Sequence, residues 1–185
     1  MNWTIHKYSF KQTFVFSFLF LLIYIFGNNI DGSFFQLNLN YLLPDSYSYI
    51  QASKNFYGEF QIDPIRPFLY PLIIGVPSIF GFNSSESIIL FAVFINLVVW
   101  FFTLFYLYKT IEIIQSKKAA FWSTLILSSC FGITGMIFQP LTEICFIGLL
   151  TSGAYFLIKV PHLPSNIGLF LGFILTASLI RPGVL

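Results

Sequence analysis

The sequence contains one long apolar run at residues 88–108, which reads IILFAVFINLVVWFFTLFYLY. A helix that crosses the hydrocarbon core of a bilayer needs about 20 mostly apolar residues. This run meets that requirement, and Asn96 is its only strongly polar residue. The run therefore predicts a transmembrane helix near the middle of the chain.

The composition of the whole chain agrees with a membrane protein. Of its 185 residues, 57% are hydrophobic, 21% are aromatic and 9% are charged. A soluble domain carries about a quarter charged residues, so a soluble globular enzyme and a disordered tail are excluded. The net charge of +2 is too small to drive binding to a nucleic-acid backbone. Cys130 and Cys145 both fall in apolar runs, so no disulfide framework is predicted.

Four further apolar segments complete a pattern of five spans: residues 13–26, 119–138, 141–158 and 166–180. The first is short unless Ser9–Gln12 extend it by a turn. Lys7 and Lys11 precede it as in a signal peptide, but residues 27–30 offer no cleavage site of small residues. We therefore expect an uncleaved signal anchor.

Residues 27–87, between the first two spans, form a loop much longer than a connection requires. Its segment 72–80 is apolar, but it is too short to cross a membrane and it contains Pro77. We expect that segment to be re-entrant or interfacial. The predicted fold class is an all-α polytopic membrane protein of about five transmembrane helices, with short interfacial helices in a long first extracytoplasmic loop.

The lysines predict the orientation of these spans, because positive side chains favour the cytoplasmic side. Threading five spans places every lysine except Lys54 on one side of the membrane. Arg66, Arg181 and every acidic residue except Glu112 fall on the other side. We therefore expect a cytoplasmic N-terminus and location in a bacterial cytoplasmic membrane. We also expect residues 1–185 to be one N-terminal transmembrane region of a longer protein.

Asp45 is the first of four charged residues that this topology places at the outer membrane surface, where charge is costly and often marks function. It opens a segment with helical spacing of its apolar positions, which predicts a short helix lying on the membrane. Asp45 could cap that helix or act as a catalytic base, and the spacing leaves both interpretations open. The shared face of the helix consists of Tyr49, Ala52, Ser53 and Phe56.

The other three charged residues are Arg66, Glu143 and Arg181. Arg66 precedes Pro67 in a segment whose prolines restrict the backbone, and its planar group suits a phosphate. The alternative is an arginine that snorkels to lipid headgroups. Glu143 begins the fourth span and Arg181 ends the fifth, and the helix dipole favours each charge at its position. Each residue therefore has a structural explanation beside a functional one.

The sequence assigns no protein metal site. His6 and His162 have no acidic or histidine partner at ligand spacing. Outer carboxylates could still hold a divalent cation.

Part of the long loop resembles a known family, the C-type membrane glycosyltransferases with the GT-C fold. The similarity is to the first extracytoplasmic loop of the protein-mannosyltransferase-like and aminoarabinose-transferase-like enzymes. Thr142-Glu143 and Arg181-Pro182 resemble later family segments more weakly. The loop residues that carry the resemblance are Asp45-Ser46-Tyr47-Ser48-Tyr49, Asn55, Gly58, Arg66-Pro67-Phe68-Leu69-Tyr70-Pro71 and Phe80-Gly81.

The resemblance implies a transferase that moves a sugar from a polyprenyl-phosphate carrier to a glycan, lipid or protein acceptor, on the extracytoplasmic face. In such enzymes the loop acid activates the acceptor and arginines hold the carrier phosphate. Asp45 would then be the catalytic residue, and one carboxylate suffices for a single displacement with inversion. Ser46 stands where some members have a second acid, so a two-carboxylate or metal-bridging site is not implied. The expected substrate-binding residues are Arg66, Arg181, Tyr49, Tyr70 and Glu143.

Two other classes compete with the transferase. A transporter, flippase or polymerase of lipid-linked sugars would also need arginines for a phosphate. Transporters usually show charge or broken helices near mid-membrane, and we expect neither in these spans. A purely structural membrane subunit does not explain a long outer loop that carries an acid and an arginine.

Overall fold

The computed structural model describes residues 8–28, 42–159 and 163–181, and this part of the chain is helical and contains no β-strand. Expectations about His6, Lys7, His162 and Pro182, and about residues 29–41, lie outside the described residues. The helices are α1 Phe10–Asn28, α2 Pro44–Glu59, α3 Leu69–Ile74, a 3₁₀ helix Val76–Phe80, α4 Ser85–Ile114, α5 Lys117–Ser128, α6 Phe131–Ile137, α7 Thr142–Lys159 and α8 Pro164–Ile180.

Among the described residues, three helices have the length and apolar composition of a membrane span: Phe10–Gly27, Ser85–Ile114 and Thr142–Lys159. Each contains one of the predicted spans, and the all-α fold class is confirmed for this part of the chain. α8 coincides with the predicted fifth span but has 17 residues and is shorter than the other three. Within the described residues, three helices are therefore long and apolar enough to cross a membrane, or four if the bent pair α5 and α6 forms one span.

The first span is longer than its apolar run because Ser9 and Gln12 form a capping box at its start. The backbone N–H of Ser9 donates to Oε1 of Gln12 over 3.0 Å, and the backbone N–H of Gln12 donates to Oγ of Ser9 over 3.4 Å. These bonds satisfy amide groups that have no partner within the helix. The expected extra turn is present, since α1 begins at Phe10.

The predicted span 119–138 is not one continuous helix, and its crossing of the membrane stays a prediction. α5 ends at Ser128, α6 begins at Phe131, and the two helices are bent by 67°. The hydroxyls of Ser128 and Ser129 donate to backbone carbonyls three residues earlier, each over 2.9 Å. Such bonds compete with the helical hydrogen-bond ladder and favour a break. The expectation that no span is broken was wrong for the same reason.

The described part of the long loop folds into short helices at one end of the bundle. α2 packs chiefly on α3, and α3 packs on α4. Tyr49, Ala52 and Ser53 of the shared face are buried against α3 and Phe56 is half-buried, while the placement of α2 on the membrane stays a prediction. Gly75 permits the close approach, because a Cβ atom there would lie 2.3 Å from Oγ of Ser53. The segment 72–80, predicted to be re-entrant or interfacial, forms the end of α3 and the 3₁₀ helix.

α7 packs between α4 and α8 and forms the main contact of the bundle. Gly148 allows α7 to approach α4 closely, since a Cβ atom there would lie 2.5 Å from Cγ1 of Val99. A hydrophobic cluster joins the loop helices to the first turns of α4 and α7 and to the last turn of α8. The cluster places the loop beside Glu143 and Arg181. Its buried members are Tyr49, Ile50, Tyr70, Ile74, Ile88, Ile89, Ala92, Cys145 and Ile180.

Candidate functional site

Asp45 and Arg66 form an ion pair at the end of the bundle. Nη2 of Arg66 donates to Oδ1 of Asp45 over 2.7 Å, with the Asp45 side chain 61% exposed and the Arg66 side chain 25% exposed. The hydrogen bond that Arg66 donates to Asp45 raises the pKa of Arg66 above its ordinary value, so the guanidinium stays charged. An exposed ion pair contributes only about 0–1 kcal/mol to stability. The ion pair therefore contributes little to stability, and its main effect is to hold the Asp45 and Arg66 side chains next to each other.

Asp45 is not the N-cap of α2, so the capping interpretation was wrong. Leu43 occupies that position, and Pro44 is the first residue of the helix. Proline suits the first helical position because its φ is already helical and it has no N–H to satisfy. Within the described residues, Oδ2 of Asp45 makes no hydrogen bond. That oxygen is available to an incoming group.

Asp63 and Tyr49 hold Arg66 in place. Oδ1 of Asp63 accepts from the backbone N–H groups of Ile65, over 2.7 Å, and of Arg66, over 3.0 Å. The guanidinium lies over the Tyr49 ring, 5.1 Å from its centroid. The prolines around Arg66 predicted a restrained backbone, but the part played by Asp63 was missed. The Asp-Pro sequence, which is typical of turns, was the available signal.

Glu143 and Arg181 form a second ion pair between the start of α7 and the end of α8. Nη1 of Arg181 donates to Oε1 of Glu143 over 3.1 Å. Glu143 lies in the first turn of α7 and Arg181 is the C-cap of α8, so each charge has the helix-end position that the sequence predicted. Oε2 of Glu143 is buried and has no hydrogen-bond partner among the described residues. A buried, unpaired carboxylate oxygen is costly, so a hydroxyl donor would bind there favourably.

Tyr49 and Tyr70 lie between the two ion pairs. Their rings meet edge to face with centroids 5.3 Å apart, and Tyr70 is completely buried. Burial raises the pKa of Tyr70 well above its ordinary value, so its hydroxyl stays neutral and cannot serve as a base near neutral pH. The structure thus brings all of the predicted site residues to one end of the bundle: Asp45, Tyr49, Arg66, Tyr70, Glu143 and Arg181.

An apolar cleft of about 340 Å³ runs between α4, α7 and α8, and the sequence did not predict it. Ile180 and Cys145 line it next to the second ion pair. From Ile95 to Tyr106 on α4 the lining extends about 16 Å, at 1.5 Å per helical residue. The cleft therefore leads from the charged end into the bundle. The full lining is Ile73, Ile95, Val99, Phe102, Tyr106, Cys145, Gly148, Leu149, Ser152, Phe173, Thr176 and Ile180.

Two amide side chains together connect α4, the link between α6 and α7, and the start of α2, and neither had a predicted role. Nδ2 of Asn96 donates to the backbone carbonyls of Ile137, over 3.2 Å, and of Gln139, over 2.8 Å. Oε1 of Gln139 accepts from the backbone N–H of Leu43 over 3.2 Å and from the Ser46 hydroxyl over 3.1 Å. A single strongly polar residue inside an apolar span was the available signal for Asn96.

Within residues 8–28, 42–159 and 163–181, no group of three or more His, Cys, Asp and Glu side chains could hold a metal ion. Comparisons of the chain with protein-family models, with curated proteins and with solved structures found no match. In the part of the chain that the structure describes, the fold and the site define a class of helical protein with helices of membrane-span length and paired charges at one end of the bundle.

Proposed function

We propose that this protein transfers a sugar from a polyprenyl-phosphate carrier to a glycan, lipid or protein acceptor at the extracytoplasmic membrane surface. One observation carries the proposal. One end of the bundle carries a carboxylate with one oxygen free of hydrogen bonds, two arginines and the mouth of an apolar cleft. The resemblance of residues 45–81 to C-type membrane glycosyltransferases supports the same reaction.

Asp45 is the base in this proposal. Its exposed Oδ2 takes a proton from the acceptor hydroxyl as the hydroxyl oxygen attacks the anomeric carbon. The bond from that carbon to the phosphate oxygen breaks, and the carrier phosphate leaves with the electron pair. Attack opposite the leaving group inverts the anomeric centre. General base catalysis of this kind contributes about 10²–10⁴ in rate.

Arg66 and Arg181 stabilise the departing phosphate in this proposal. Each uses one nitrogen for its carboxylate partner, and a guanidinium carries five N–H donors. The remaining donors can face the phosphate as negative charge develops on it. Oε2 of Glu143 can accept a hydrogen bond from a sugar hydroxyl.

The cleft suits the polyprenyl chain of the donor. Its lining is mostly hydrocarbon, and it begins beside Ile180, next to Arg181. A chain lying in the cleft would place its phosphate at the charged end of the bundle. Charge complementarity between Arg181 and that phosphate favours a phospholipid-like occupant over a neutral hydrocarbon.

The proposed topology has five spans, with α5 and α6 as one bent span and α8 as the fifth. Lysines cluster at the helix ends opposite the proposed site. Lys109 bonds Glu112 over 2.8 Å at the end of α4, and Lys117 at the start of α5 lies 3.9 Å from the same carboxylate. This clustering supports a cytoplasmic location of those ends.

A transporter or flippase of lipid-linked sugars is the second candidate, and one observation favours it. The bent pair α5 and α6 is a broken helix, which transporters use near the membrane midplane. Asn96 binds the other end of α6, at the carbonyl of Ile137.

The two candidates differ in whether a glycosidic bond forms. Membranes that contain the protein would receive a polyprenyl-phosphate donor with a radiolabelled sugar, together with membrane extract as the source of acceptors. A transferase releases the carrier phosphate and gives a labelled product with inverted configuration. If the labelled donor crosses the bilayer intact and no product forms, the transferase proposal is wrong and the transporter is favoured.

A further inference from the structure

Gln139 lies in the short link between α6 and α7, and its side chain reaches the start of α2. Its Oε1 accepts from the backbone N–H of Leu43, which is 96 positions away in the sequence, and from the hydroxyl of Ser46. Leu43 is the N-cap of α2, and its own side chain makes no capping hydrogen bond. Groups at helix starts need partners from outside the helix. Gln139 therefore supplies from a distant segment what a local capping side chain usually supplies.

Asn96 fixes the same link from the side of α4. Its side chain is completely buried, and it donates to the carbonyls of Ile137 and Gln139. The last carbonyls of a helix lack partners within it, so these two bonds complete the end of α6. Moving the backbone at Gln139 would break both of them inside the bundle. The link is thus held by α4 and in turn holds α2.

We infer that Gln139 is a positioning residue for the site, because it holds the first turn of α2 at a set place relative to the start of α7. Asp45 lies between the two residues that Gln139 binds, and Glu143 lies four residues after Gln139, in the first turn of α7. The Gln139 side chain thereby fixes the position of the proposed base, Asp45, relative to the ion pair of Glu143 and Arg181. The effect on catalysis rests on the proposed function, whereas the effect on α2 does not.

Hydrogen exchange in detergent micelles tests the effect on α2. Gln139→Met keeps the side-chain length and removes the acceptor. Gln139→Glu keeps an acceptor, and its charge suits the N-terminus of a helix. Gln61→Met, at an exposed position just after α2, is the matched control. Loss of the two hydrogen bonds that Oε1 accepts predicts about 5- to 100-fold faster amide exchange in the first turns of α2 for Gln139→Met. The other two variants should exchange as the wild type does.

Transfer kinetics test the effect on catalysis. A displaced Asp45 should lower kcat for Gln139→Met with little change in the KM for donor, and Gln139→Glu should restore kcat. Unchanged exchange in Gln139→Met, or equal acceleration in Gln139→Glu, would overturn the inference. If the wild type transfers no sugar, the proposed function fails while the exchange result still decides the role of Gln139 in holding α2.

Discussion

Arg66 lies 21 positions after Asp45 in the sequence, yet its Nη2 is 2.7 Å from the Asp45 carboxylate. Arg181 and Glu143, 38 positions apart, make the same kind of pair nearby. Both arginines are thus neutralised by carboxylates at the end of the bundle. An anionic ligand would have to bind the spare guanidinium donors or compete with those carboxylates. If these arginines bind a phosphate, the affinity should therefore depend on the geometry of each ion pair as well as on its charge.

Asp45→Asn should abolish transfer while it leaves folding intact. Asparagine can still accept the hydrogen bond from Arg66, but it cannot take a proton at neutral pH. A loss of about 10²–10⁴ in kcat is expected from general base catalysis. The measurement is transfer at saturating donor, with Glu59→Gln at the exposed end of α2 as the matched control. Near-normal transfer by Asp45→Asn would show that the base lies elsewhere.

Arg66→Lys should weaken donor use by about ten- to a hundred-fold, which corresponds to 1.5–3 kcal/mol for one charge-assisted hydrogen bond. Lysine keeps the charge but loses the planar group that lies over Tyr49 and reaches Asp45. The KM for donor would be measured for Arg66→Lys, Arg66→Ala and the wild type. A snorkelling arginine would tolerate lysine, so equal activity of Arg66→Lys and wild type would remove Arg66 from the site.

Hydropathy predicted the helices well because membrane spans are set by a local property, the apolar character of about 20 successive residues. It could not predict the break between α5 and α6, since the segment 119–138 contains no charged residue and no proline. Serine hydroxyls that bond to the backbone favour the break, and Asn96 holds the far end of α6 through the carbonyl of Ile137. Such contacts depend on how the helices pack.

The candidate site was predicted in its residues but not in its pairings. Charge type and position relative to the spans indicated Asp45, Arg66, Glu143 and Arg181. Nothing local in the sequence indicates which carboxylate meets which arginine. Gln139 was missed because its partners lie on a helix that begins 95 positions earlier, at Pro44.

Gly75→Ala should destabilise the loop helices. The new Cβ atom would lie 2.3 Å from Oγ of Ser53 and 2.5 Å from the ring of Tyr57, so α2 and α3 would have to separate. Overpacking of this kind costs about 1–3 kcal/mol. Gly58→Ala on α2 is the matched control, because a Cβ there meets nothing within 4 Å. Thermal unfolding in detergent should show a lower Tm for Gly75→Ala alone. Equal Tm values for the two variants would contradict the close packing of α2 on α3.

Cysteine labelling should find position 58 accessible from outside the cell and position 115 accessible only from the cytoplasm. The variants are Gly58→Cys and Gln115→Cys, both at exposed positions, in a Cys130→Ser background because Cys130 is exposed. Position 115 is chosen because the neighbouring Ser116 caps α5 through its hydroxyl. The expected result follows from the distribution of lysines along the chain. Labelling of both positions from the same side would contradict the topology and the extracytoplasmic site.

Thr176→Phe should reduce the use of long-chain donors more than that of short-chain donors. Thr176 lines the cleft, and a phenyl ring there would occupy part of its volume of about 340 Å³. Short donors bury little chain in the cleft, so their KM should change least.

The neighbouring Leu175 is 63% exposed and does not line the cleft, which makes Leu175→Phe the matched control on the same helix. The measurement is the KM for donors with two and with eleven prenyl units. These two lengths differ enough to show an effect, because each buried CH₂ contributes about 0.8 kcal/mol to binding. A rise in KM confined to the long donor in Thr176→Phe is the expected result. Equal effects of the two variants, or equal effects on both donors, would show that the carrier chain binds elsewhere, and the cleft would lose its part in the proposed reaction.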